Sequence, residues 1–232
     1  MKRSRLISLV VAMLMPLAAI ADSYTSLWKQ FDSAMQKDHP QSALKVLAQI
    51  TDKAQREHEY GQLLKAQVSI AGYETMMSPD SLLPAIERLK YAEQTAVSSG
   101  DNVLAAVYQS VLGSVYTDNR RLLDDGVDIG KEYYAKSMAH PDALASAYAT
   151  GYEPFVVDGV DSKYYYDDLL HVIGMRAGDY RTMHDYYASH GKREGALLTA
   201  LELVKKSRRA GDEGRVKKSK YIMSLDSLVR QY

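Results

Sequence analysis

Metal or acid–base chemistry would fall first to six histidines, His39, His58, His140, His171, His184 and His190. Two imidazoles grip zinc from one helix face when they stand four residues apart with a glutamate between them. His58-Glu59 starts such a pattern, but Tyr60, Gly61 and Gln62 end it. His184 and His190 are too far apart in sequence to share a face, and His39 and His140, each before a proline, read as turn residues. Gly126–Glu132, GVDIGKE, has the outline of a phosphate loop. Its glycines stand too close together, and Glu132 sits where a hydroxyl would hold magnesium. Asp124, Asp125, Asp128 and Glu132 offer oxygens for at most a weak calcium site, without the spacing of a calcium-binding loop. No GxSxG elbow occurs, and with 0 cysteines there is neither a thiol nucleophile nor a thiolate metal site. The expectation is a protein with no catalytic residue, no cofactor and no metal.

Rings are the next chemical resource. There are 18 tyrosines against 2 phenylalanines, and Tyr164, Tyr165 and Tyr166 are adjacent in SKYYYDDLLHVIGM, Ser162–Met175. A stacking platform needs its rings on one surface. If Asp161 caps a helix here, Val160 and Tyr165 take the staple positions. Tyr166 then shares a buried face with Leu169, Leu170, Ile173 and Ala177, and Tyr164 points the opposite way. Tyr186 and Tyr187 splay in the same manner, so packing is the favoured role. Tyr164 and Tyr187 are the rings kept as candidates for an interaction surface. Lys205, Lys206, Arg208, Arg209, Arg215, Lys217, Lys218 and Lys220 face only Asp212 and Glu213 nearby. They read either as a solvated helix end or as a docking face for an acidic partner or following domain.

These residues need elements to position them. Ala43, Leu47, Ile50 and Ala54 recur at helical spacing in Pro40–Glu57, with Pro40 in the first turn. Leu104, Val107, Tyr108, Val111 and Val115 repeat the stripe; so do Leu197, Ala200, Leu201 and Val204, then Tyr221, Leu225, Leu228 and Tyr232. Ser81 and Asp101 fit helix N-caps. No period-two pattern is sustained. The expected fold is all-α: antiparallel pairs of helices about 14–20 residues long, in a helical-repeat (TPR-like) or right-handed solenoid arrangement. The predicted divisions are a leader at 1–21, a helical-hairpin subdomain at 22–119, an irregular connection with a short helix at 120–163, and a second helical subdomain at 164–232. The connection reads as a simple linker or as a loop with a task.

Met1–Ala21 has a basic start (Lys2, Arg3, Arg5), an apolar run and an Ala-Ile-Ala ending, the pattern of a secretory signal peptide. The run is too short to span a bilayer, so stable membrane insertion is not expected after cleavage. Export predicts a periplasmic or extracellular protein. Losing the three basic residues takes the formal charge from +0 to about −3, which gives no reason to expect nucleic acid.

The order of motifs in Ser23–Gln67, with Leu27-Trp28, then Pro40-Gln41-Ser42-Ala43-Leu44, then Gln62-Leu63-Leu64-Lys65-Ala66, resembles the N-terminal helical region of secreted alpha-2-macroglobulin-like proteins of Bacteroidota. YYYDDLLHVIGMRA, HDYYASHGKREGALLTALELV and SLDSLVRQY resemble later helices of the same region. The resemblance implies a non-enzymatic helical scaffold whose partner is protein, either macroglobulin-like domains or an envelope component. It carries over no thioester, because that group needs a cysteine. The competing expectation is an exported helical-repeat protein that binds glycan or peptide.

Overall fold

The computed structural model describes residues 23–157, 159–210 and 215–232, with the backbone alone over 208–210 and 215–220. Among the described residues there are eleven α-helices and no strand. The expected all-α class is therefore seen. The chain divides into two compact units between Ala85 and Ile86. The leader at 1–21 lies outside the described residues.

In the first unit, helix α1 (residues 23–36), α2 (Pro40–Glu57) and α3 (Tyr60–Met77) surround one core. Ala43, Leu47, Ile50 and Ala54 are buried as the stripe predicts, against Tyr24, Phe31 and Ala34 of α1 and Leu63 and Ala66 of α3. Leu47 and Ile50 alone stabilise the fold by about 2 kcal/mol each through removal from water. Polar tips finish the seams: Tyr24 Oη donates to Glu57 Oε2 at 2.8 Å, and Trp28 Nε1 donates to Gln62 Oε1 at 2.7 Å. The Leu-Trp pair thus anchors α1 through its indole.

A 3-10 turn at Pro79–Ser81, which contains the predicted cap Ser81, leads into α4 (Leu82–Ser98), the helix in which the division falls. In the second unit, α5 (Asn102–Asp118) starts as expected at Asp101, whose carboxylate accepts from the Leu104 N–H at 2.9 Å. Next comes α6 (Gly126–Ser137), a full helix inside the segment expected to be irregular. GVDIGKEYY was open to misreading because its glycines look like loop residues. Here they let α6 lie directly on α5. A Cβ on Gly130 would stand 2.4 Å from Thr117 Oγ1 and 2.9 Å from the Gly113 carbonyl, and one on Gly113 would meet the Tyr134 ring at 2.7 Å. The short helix expected within 142–152 appears as α7 (Pro141–Ala145) and a 3-10 turn at Ala149–Tyr152.

Beyond it, α8 (Leu169–Ala177), α9 (Tyr180–Ser189), α10 (Arg193–Ala210) and α11 (Arg215–Gln231) complete the chain. Several of these elements are shorter than the 14–20 residues expected. Asp161 does not cap α8: Asp168 does, accepting from the His171 N–H at 2.9 Å. Val160 is exposed and staples nothing, and the buried ring is Tyr165, not Tyr166. The stripe on α10 is also displaced. Leu197 is 37% exposed, while Ala196, Thr199 and Ala200 face the core. On α11, Tyr221, Leu225 and Leu228 are the half-buried positions, as spaced. No helix among the described residues is long and apolar enough to cross a membrane.

Candidate functional site

Two places in the second unit bring side chains together. The first is where the tyrosines meet. Ser162–Tyr165 forms a 3-10 turn, and Tyr166 and Asp167 then adopt consecutive left-handed conformations, φ 61° and 52°. Such a residue without glycine's freedom costs on the order of 1–2 kcal/mol, and tyrosine lacks the local hydrogen bond that helps an aspartate there. Ties on both sides hold the kink. The Asp167 N–H donates to the Ser162 carbonyl, the Ala149 N–H to the Asp167 carbonyl at 2.8 Å, and the Leu169 N–H to the Ala147 carbonyl. Tyr166 Oη donates to Glu194 Oε2 at 2.8 Å.

The kink delivers Asp168 into the core, 2% exposed. Its Oδ1 accepts from both the His171 N–H and Tyr187 Oη, the latter at 2.8 Å. Its Oδ2 accepts no hydrogen bond among the described residues; Lys192 Nζ stands 3.6 Å away, beyond hydrogen-bond length yet close enough for charge attraction. Burial pushes the Asp168 carboxyl up from its ordinary value, against the His171 N–H, the Tyr187 hydroxyl and Lys192, which pull it down. Burial likewise raises the hydroxyls of Tyr187 and of Tyr165, the latter to about 12.

Lys192 is enclosed by rings. Its Nζ lies 4.7 Å from the Tyr166 centroid, 5.5 Å from that of Tyr186 and 5.8 Å from that of Tyr187. Tyr165 stacks on His171 at 4.0 Å, and Tyr186 on His190 at 4.1 Å. The tyrosines therefore do converge, but Tyr166 joins Tyr186 and Tyr187 across a turn, in place of three neighbours forming one flat face. Tyr187, expected on an interaction surface, is fully buried; its ring fills the space beside Gly195. Tyr164 is 43% exposed, with Lys163 Nζ over its ring.

The second place is a groove of about 530 Å³ lined by α4, α5 and α6. Tyr91, 77% exposed, and Val97 stand on the α4 side with Gln94, while Gln109 comes from α5 and Tyr133 from α6. Polar groups there are engaged locally: Lys90 Nζ donates to Glu87 Oε1 at 2.8 Å, and Glu93 Oε1 accepts from Gln109 Nε2 at 2.7 Å. Tyr133 stacks nearly parallel on Tyr116, 5.7 Å between centroids, with Lys136 Nζ over its ring. Nothing in the sequence pattern marked this groove, because its residues come from three helices and one of its rings, Tyr133, lies on α6 inside a segment read as connection.

Of the basic residues, Lys205 pairs with Glu202 at 2.6 Å, and Lys206 donates to the Gly178 carbonyl at the end of α8. Both are thereby engaged within the chain. The side chains of Arg208, Arg209, Arg215, Lys217 and Lys218 lie outside the described residues. No group of three His, Cys, Asp or Glu converges to hold a metal among the described residues. Comparison with family models, curated proteins and solved structures finds no match to this chain.

Proposed function

We infer that this is an exported, non-enzymatic helical module, its helix pairs arranged in a TPR-like manner, that docks an extended segment of a protein partner in the α4–α6 groove. One observation carries the reading. Tyr91 and Val97 present uncovered apolar surface beside polar groups already engaged within the chain, Lys90 with Glu87 and Glu93 with the Gln109 amide. A polypeptide laid there buries its side chains on the ring and valine and meets amides at Gln94 and Gln109. Export rests on the Met1–Ala21 pattern, and the partner class, macroglobulin-like domains or an envelope protein, rests on the motifs of Ser23–Gln67.

A glycan is the second reading, favoured by the exposed Tyr91 ring and the half-buried Tyr133 ring next to those amides, since sugar rings lie well on aromatic surface. Placing a photo-crosslinking phenylalanine at position 91 in cells that make this chain separates the two. The expected result is an adduct with one identified protein that disappears when Val97→Asp is added. No protein adduct, together with glycan-array binding lost in Tyr133→Ala, moves the assignment to a glycan. Neither signal overturns the groove.

A further inference from the structure

We propose that Tyr166, Tyr186, Tyr187 and Asp168 form an ammonium-recognition site, occupied at present by the chain's own Lys192, which admits an alkylammonium ligand when that side chain withdraws. The site stands apart from the groove and does not depend on it. A lysine acting only as counter-ion to a buried carboxylate needs a short, direct hydrogen bond and no rings. Here the reverse holds: three ring faces look at Nζ within 6 Å, and the carboxylate oxygen is left at 3.6 Å. Ring faces around a cation, with one anion held behind them, favour a diffuse and weakly hydrated charge over a compact one.

The anion is built in. Asp168 is fixed by two hydrogen bonds on Oδ1, and its free Oδ2 points to the cage. The mouth is open, because the Lys192 side chain keeps 24% of its surface exposed and can leave through its own torsions. Glu194, held by Tyr166 at the rim, adds a second negative charge on the path. The ligand class is therefore an N-methylated or quaternary ammonium group.

The test is thermal unfolding of the wild type, Lys192→Ala and Lys192→Ala/Tyr186→Leu, titrated with tetramethylammonium chloride against sodium chloride at equal ionic strength. Lys192→Ala should be stabilised selectively by tetramethylammonium, with an affinity about tenfold or more above that of the wild type, in which Lys192 competes. Removing the Tyr186 ring should abolish that gain. If Lys192→Ala does not fold unaided, recovery of its folding by tetramethylammonium is the supporting outcome, and failure to recover it overturns the proposal. Equal responses to the two salts, or a gain that survives loss of the Tyr186 ring, also overturn it. Free choline and phosphatidylcholine vesicles then distinguish a soluble ligand from a lipid headgroup, and a response to either supports the site.

Discussion

Tyr187 donates its phenolic hydrogen to Asp168 Oδ1 at 2.8 Å, and both side chains are shielded from solvent. That bond joins α9 to the N-terminus of α8 and satisfies part of a buried carboxylate. Tyr187→Phe keeps the ring and removes one of the two hydrogen bonds on the buried Oδ1, so it should lower the unfolding free energy by about 1–3 kcal/mol. Tyr187→Ala also opens a cavity and should cost about 3–5 kcal/mol. Urea unfolding of the two variants checks the order; an unchanged Tyr187→Phe would mean the hydrogen bond is unimportant.

The raised Asp168 carboxyl gives a pH dependence of definite sign. Its folded-state pKa lies above the unfolded value, so over that interval the native chain holds more proton than the unfolded one. Its contribution is then fully present below the unfolded value and is lost as pH rises through the folded value. The lowered carboxyls of Glu57 and Glu194 act oppositely, so the comparison must be with Asp168→Asn. The stability of the wild type relative to that variant should fall as pH climbs through the window. Melting curves taken across the acidic range provide the readout, and a flat difference would refute the linkage.

Gly130→Ala places a methyl group against Thr117 Oγ1 and the Gly113 carbonyl, and backbone cannot give way cheaply. The α5–α6 pair should spread at a cost of about 1–3 kcal/mol, despite alanine's better helix propensity. A rise in melting temperature would contradict the close approach.

Burial separates two leucines with the same sequence spacing. Leu47→Ala, at a fully buried position, should cost about 2–5 kcal/mol, whereas Leu197→Ala, at a position 37% exposed, should cost clearly less, about 0.5–1.5 kcal/mol. Chemical denaturation of both variants tests the corrected face.

Periodicity was informative where burial is decided inside one helix. The Ala43–Ala54 stripe and the Asp101 cap follow from local spacing, and both are present. It failed where the deciding partner is distant in sequence. Gly130 looks like a loop residue until the opposite helix is in view. Tyr166 looks like a core residue until its left-handed backbone turns it toward Lys192. Asp161 fits a cap on local spacing alone, but the backbone pairing of Ala147–Ala149 with Asp167–Leu169 puts the start of α8 at Asp168. The groove has no linear signature at all.

The abundance of tyrosine acquires a meaning from its hydroxyls. Tyr24 to Glu57, Tyr134 with Ser114, Tyr166 to Glu194, Tyr187 to Asp168 and Tyr232 with His184 each tie one element to another. In a chain without cysteine, these bonds do the cross-linking between elements that disulfides do elsewhere. Reducing agents therefore have nothing to sever. Reagents that nitrate or iodinate phenols are the ones that would loosen its joints.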